Sequence, residues 1–330
     1  MLKKTLFVGS LCLASTGLAI GLSAASIGAK TPLIVQQQPA SDLSVPAIDS
    51  KPSQVELINL GVEPRQQLRL KPSLGIKQTT TMTVKTEMAV STAGTSAKVN
   101  KVPTIVLTID TQATKIDANG DIHYEFSYTN VDVAADTPNL PTAALDSMRS
   151  AVKKLVGLKG SFIMDSRGGN KGGSFTLPAE ADNNLKQMVQ NMSKSLQQLG
   201  SPLPAEAVGK GAKWRISFPS NAGGMNVNQT AIYELIDLQD GVVTLKTSIE
   251  QQANPQNLTL PQLPAGSTMA IKSFVSQGQG EVIMRLDQLM PVRSVVSINS
   301  NSEMTLKVAG TPGESTIKMK MLMEMNLDSK

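Results

Sequence analysis

Near its C-terminus the chain reads STIKMKMLMEMNL, residues 315–327. Met319, Met321, Met323 and Met325 recur at every second position, and Ile317 and Leu327 extend the same alternation. Lys318, Lys320, Glu324 and Asn326 fill the positions between, with Leu322 the single exception. Side chains two residues apart on a strand share a face and lie roughly 6.5–7 Å apart. The pattern therefore predicts an amphipathic β-strand with one buried face and one charged, wet face. Thioethers also suit Cu(I), which makes the row a candidate copper site. The chain has one histidine, His123, to supplement it. Such ligand poverty favours methionine as an adaptable core filler over methionine as a metal ligand.

The same rhythm runs outward from this strand. In TTTMTVKTEMAV, Met82, Val84, Met88 and Val90 alternate with Thr81, Thr83, Lys85 and Glu87. Ile105, Leu107 and Ile109 continue it, and Asn119-Gly120 forms a hairpin-turn dipeptide. The return strand alternates Ile122, Tyr124, Phe126 and Tyr128 with Asp121, His123, Glu125 and Ser127. Asp240-Gly241 marks a second hairpin. Two amphipathic helices interrupt the strands. Leu145, Met148, Val152 and Leu155 form one stripe before Gly157; Leu185, Met188, Met192, Leu196 and Leu199 form the other, between a capping Asp182 and Gly200. The expected fold is mostly β: a large curved antiparallel sheet or incomplete barrel, with two amphipathic helices packed on it. The spacing of the two hairpin turns and of GSFIM and GEVIM suggests two structural half-repeats, over about 79–177 and 200–327, with an antiparallel meander that repeats without duplication as the alternative.

The N-terminus has a different composition. Lys3 and Lys4 precede an uncharged run that ends at Lys30, and small residues crowd its end. This is the layout of a secretory signal peptide over 1–29, with an uncleaved N-terminal anchor as the alternative. The only cysteine, Cys12, lies inside it after Leu11, a poor context for lipid attachment. A mature chain without cysteine has no disulfide, no thiol nucleophile and no thiolate metal site. Residues 30–66 read as a Pro/Gln/Ser-rich linker, in which VELINLG is a candidate docking strand. Residues 67–330 then form a single mostly-β domain, long enough to bury its own core.

Composition narrows the function. The net charge is +5, with scattered Lys and Arg. Aromatic residues are 3% of the chain. Neither a clustered basic face nor stacking platforms are expected, so nucleic acid is not an expected partner. S-x-x-K occurs at Ser150–Lys153 and Ser315–Lys318, without the S-D-N and K-T-G that give it meaning. The RGGNKGG run, Arg167 to Gly173, reads as a hairpin loop rather than an anion cradle. His123 falls on a polar face, and Asp165 and Asp287 read as turn residues. No catalytic residue, cofactor or metal site is assigned.

LRLKPSLGIKQTTTMTVKTEM, LPAEAVGKGAKW and GEVIMRLDQLMPVRS carry a resemblance. Leu203-Pro204, Val208-Gly209, Gly211 and Trp214 match an LP-x-x-x-VG-x-G-x-x-W segment; Asp287, Pro291 and Val292 match a D-x-x-x-x-PV segment. Over about residues 67–327 the chain resembles a family of exported, mostly β bacterial proteins of unknown function. The resemblance implies export and a β fold, and lends no activity.

The functional expectation is an exported protein of the periplasm, cell envelope or extracellular space, acting by non-enzymatic binding, with a lipid or an envelope protein as candidate partner. The alternative is a carrier of a lipid or other apolar ligand in a hollow between sheet and helices. Met148, Met188, Met192, Met319, Met321, Met323 and Met325 would line that hollow. A hydrolase or a copper protein is less expected.

Overall fold

The computed structural model describes residues 42–45, 55–92, 98–137, 140–179, 181–197, 203–222, 225–258, 266–310 and 313–330. The stretch 1–29, read as a signal peptide, lies outside them. The elements in chain order are β1 (Asp42–Val45), β2 (Val55–Asn59), β3 (Gln66–Gln67), β4 (Lys77–Thr92), β5 (Lys98–Ile116), β6 (Ile122–Val133), α1 (Thr142–Lys153), β7 (Lys159–Met164), β8 (Asn170–Thr176), α2 (Asn183–Gln197), β9 (Ala207–Val208), β10 (Lys213–Ala222), β11 (Met225–Gln239), β12 (Val242–Ala253), β13 (Gln256–Leu258), β14 (Thr268–Arg285), β15 (Arg293–Lys307) and β16 (Ser315–Ser329). The expected class is correct: one large antiparallel sheet, not closed, with two short helices.

The sheet runs β1-β8-β7-β6-β5-β4-β16-β15-β14-β12-β11-β10-β2, and β13 prolongs it along β14. Two meanders of successive neighbours, β4 to β8 and β10 to β16, are joined where β4 pairs β16. The first and last long strands thus meet at the centre, with Met323 opposite Thr86 and Met325 opposite Val84. The methionine strand is a central strand, hydrogen-bonded on both sides. Its burial alternates as the sequence predicts, from Met321 onward.

Turn chemistry sets the hairpins. Asp240 and Gly241 both have positive φ, at 49° and 74°, which a tight two-residue turn between right-twisted strands requires. The matching turn holds Asn119 and Gly120, and Asn119 Oδ1 accepts the backbone N–H of Asp121 at 3.1 Å.

These turns lie at one end of the sheet, together with the β7–β8 and β14–β15 connections. The segment after β3 crosses that end. Leu70 N–H donates to Ser166 O at 2.7 Å, and Lys71 N–H to Leu286 O at 2.8 Å. Leu68 and Leu70 are buried in the crossing. Arg69 donates to the carbonyls of Pro204 and Ala205. Its guanidinium also lies within electrostatic reach of Asp165, Arg167 and Glu206. One side chain therefore reaches both the β7–β8 turn and the approach to β9 and β10, from opposite margins of the sheet. The sheet is rolled.

The helices fill what the strands leave. α2 packs against β1 and β8 on one margin and β10 on the other, along the seam of the roll. Asp182 caps it, Oδ1 accepting the Leu185 N–H at 2.9 Å, as the sequence predicts. α1 packs on β6 beyond the reach of the shorter β7, and Arg149 Nε–H donates to Val133 O at 3.0 Å. β1 and β2 lie inside the stretch 30–66 read as a linker and form the two outermost strands. VELIN, as its apolar content suggests, is β2.

Aromatic rings anchor both margins. Phe162 and Phe175 meet edge-to-face at 4.9 Å, and Trp214 stacks on Tyr233 at 5.8 Å. Gly160 makes room for the first cluster, since a Cβ there would lie 2.5 Å from both the Phe126 and Phe162 rings.

Several carboxylates are held below their ordinary range. Burial pushes Asp110 up, but hydrogen bonds from Lys77 and Thr79 more than offset it. The same holds for Asp136 against Thr104. The Arg285 hydrogen bonds lower Asp287 directly. A carboxylate with a depressed folded-state pKa contributes stability above its unfolded pKa and loses it as pH falls through the folded one. The urea midpoint, followed by fluorescence of Trp214, is expected to stay flat from about pH 7 to 5 and to fall below about pH 4. Asp110→Asn and Asp136→Asn together are expected to shallow that fall. An unchanged acid limb in the double variant would contradict the assignment.

Candidate functional site

The concave face of the roll is built from rows of residues paired across strands. Counting from the crossed end, the Leu327 row holds Val282, Ser294, Leu327 and Met82. The Met325 row holds Thr247, Gly280, Val296, Met325 and Val84. The Met323 row holds Ile249, Gly278, Ile298, Met323 and Thr86. Up to this level the face is buried and mostly apolar, although Ser294 Oγ and Thr247 Oγ1 in it have no hydrogen-bond partner among the described residues.

The next row changes character. By register it reads Gln229, Gln251, Ser276, Ser300, Met321, Met88. Four polar residues run side by side into two methionines. All four polar residues are buried, Gln229 at 1% exposure. Gln251 Nε2 donates to Gln229 Oε1 at 2.8 Å, and Ser300 Oγ donates to Ser276 Oγ at 3.0 Å. Gln229 Nε2 has no hydrogen-bond partner among the described residues. The row beyond holds Ala253, Phe274, Ser302, Met319 and Val90, and Ser302 Oγ likewise has none. A buried polar group without a partner costs on the order of 1–3 kcal/mol.

The far end is also where apolar side chains on this face become accessible. Met88, Met304, Ile317 and Met319 are half-buried, and Val90 is 37% exposed. The methionines proposed as a lining thus divide by depth. Met321, Met323 and Met325 are buried at 5%, 0% and 4% exposure, whereas Met319 is accessible. Met148 on α1 and Met188 on α2 are half-buried and pack against the same core. The side chain of Met192 lies outside the described residues.

The inward positions of β4, β11, β12, β14, β15 and β16 in these rows carry no Asp, Glu, Lys or Arg. The outward face of β15 and β16 carries Arg293, Glu303, Lys318, Lys320 and Glu324. Apolar-in and polar-out is the reverse of a transmembrane barrel's lining. Among the described residues no helix is long and apolar enough to cross a membrane.

Sequence reading missed Gln229, Gln251, Ser276, Ser300 and Ser302. Their signal was available: each is a polar residue at the apolar phase of an alternating strand. The other candidates resolve into structural roles. His123 Nε2 pairs with Asp117 Oδ2 at 2.7 Å, and Lys115 holds the same carboxylate at 2.7 Å. Asp165 Oδ1 accepts the N–H groups of Arg167 and Gly169, and Asp287 pairs with Arg285, both as turn residues. Among the described residues no group of three or more His, Cys, Asp or Glu is placed to hold a metal ion.

No family model matches the chain, and no curated protein matches it. A solved structure similar to it is OmpT (in-vitro folded), an outer membrane protein of Vibrio cholerae in its trimer form. The match covers 76% of this chain and 99% of that one at 5% identity, with a TM-score of 0.16. At that score the likeness carries no argument about what this chain does.

Proposed function

We propose that the protein is an exported, non-enzymatic carrier that holds an apolar ligand at the far end of its rolled sheet. One observation carries this reading: at the far end of the concave face Met88, Met304 and Met319 are half-buried and Val90 is 37% exposed, at inward positions that carry no charge. A core that served only packing would be expected to fill such positions with aliphatic residues. Methionine suits a contact surface for irregular guests because its thioether chain is flexible and polarisable.

Native mass spectrometry of the purified protein is expected to show bound lipid, and lipid extraction to recover it. A clean apo mass, with no stable uptake from vesicles, would remove the carrier reading. It would leave an envelope protein that acts through surface contacts.

A further inference from the structure

We infer that the far end of the roll docks onto a membrane surface that carries anionic lipid head groups. This goes beyond the carrier reading and stands on different observations. β5, β4, β16, β15 and β14 stand side by side, and their far ends form one rim. Val90, Val99 and Val308 are exposed there, Val99 at 65%. Met269, Ile317 and Met319 are half-buried beside them. Ala309 N–H donates to Ser267 Oγ at 3.0 Å, which ties the residues after β15 to those before β14. Neighbouring apolar side chains left accessible in this way mark an interaction surface.

Charge says what covers it. Lys101 and Lys318 are held by Glu87 and Glu303, each at 3.5 Å. Lys272, Lys307 and Lys320 are exposed and have no ion pair among the described residues, and Glu314 is the one acidic residue left at these strand ends. Three unpaired lysines thus stand against one glutamate around an apolar rim. Aliphatic side chains entering the head-group layer, with lysine stems reaching the surface around them, is the arrangement of interfacial membrane binding. An anionic lipid surface adds attraction for each such lysine. The crossed end is different. Leu74 and Ile76 are exposed there, but of Lys71, Lys77 and Lys115 beside them the last two are held at 2.7 Å by Asp110 and Asp117. On the carrier reading, docking by the far end opens the concave face onto the bilayer, so an apolar ligand passes without crossing water.

The test is lysine footprinting. The full chain is mixed with vesicles of phosphatidylcholine alone, or of equal parts phosphatidylcholine and phosphatidylglycerol, acetylated briefly and peptide-mapped. On the mixed vesicles Lys272, Lys307 and Lys320 are expected to react about tenfold more slowly than in free protein, with Lys77 and Lys115 unchanged; high salt should restore the rates. A tether at the N-terminus would hold the chain on vesicles without shielding these three lysines in particular. In Lys272→Gln/Lys307→Gln/Lys320→Gln the mixed vesicles are expected no longer to protect Lys318, while the urea midpoint stays that of the parent, since the three side chains are exposed and unpaired. Lys318 still protected in this variant would overturn the role given to charge. No protection in the parent, or protection at Lys77 and Lys115 instead, would overturn the docking surface. So would protection that grows with protein concentration without vesicles, which would make the rim an interface between copies. Bound lipid in purified protein whose rim lysines stay reactive on vesicles would remove the docking and leave the carrier reading standing.

Discussion

Replacing Met323 with lysine is expected to unfold the protein at room temperature or to leave it marginally stable. Met323 is fully buried on a central strand, between Ile298 of β15 and Thr86 of β4. Its row offers no carboxylate, so the ammonium would have to be buried unpaired or shed its proton. Either course costs on the order of 5 kcal/mol, a large share of a domain's total stability. The cost is specific to phase and depth. Leu322→Lys, one residue away on the outward face, is expected to change stability by about 0.5 kcal/mol or less. Met323→Leu keeps volume and phase and should cost less than about 1.5 kcal/mol. Urea midpoints read from Trp214, the chain's single tryptophan, rank the three. Equal losses at positions 322 and 323 would mean that the two-residue rhythm does not govern burial here.

That rhythm made most of the fold legible. Strand existence, the two glycine turns and the α2 cap all depend on contacts within a few residues, and local patterns report such contacts well. Ile122, Tyr124 and Tyr128 on one face, or Asp182 at a helix start, need no distant partner to be recognised. The union of β4 with β16 is different. Thr86 and Met323 are far apart in sequence, and any of several strands with the same alternation would fit beside either one. β1 and β2 were harder still. They are 4 and 5 residues long, in a stretch rich in Pro, Gln and Ser, and they pair with sheet margins that local sequence does not reveal.

The candidate site was half legible for the same reason. Alternation puts Met319, Met321, Met323 and Met325 on one face, but it carries no depth coordinate. The segment through Leu68 and Leu70 crosses one end of the sheet, and the sealed methionines are the ones nearer that end. The polar row is a matter of register. Gln229, Gln251, Ser276 and Ser300 come from four strands, and each alone looks like an ordinary lapse in an apolar pattern. Only the cross-strand pairing lines them up.

The second large effect is a contrast in chemistry along one strand. Peroxide converts an accessible thioether to a sulfoxide and spares a buried one until the fold opens. Met319 and Met323 are chemically the same and lie four residues apart on the same face, so any difference in their rates reports depth alone. Met319, Met88 and Met304 are half-buried, whereas Met321, Met323 and Met325 are sealed. Under native conditions the first group is expected to oxidise at least tenfold faster than the second. In urea the difference should vanish. A bound apolar ligand is expected to slow Met319 and leave Met323 unchanged.

Peptide mapping of peroxide-treated native protein therefore tests the rolled sheet and its accessible far end together. Sulfoxide is expected at Met319 while Met321, Met323 and Met325 remain thioethers. Oxidation of Met323 and Met325 at the rate of Met319 in folded protein would contradict it.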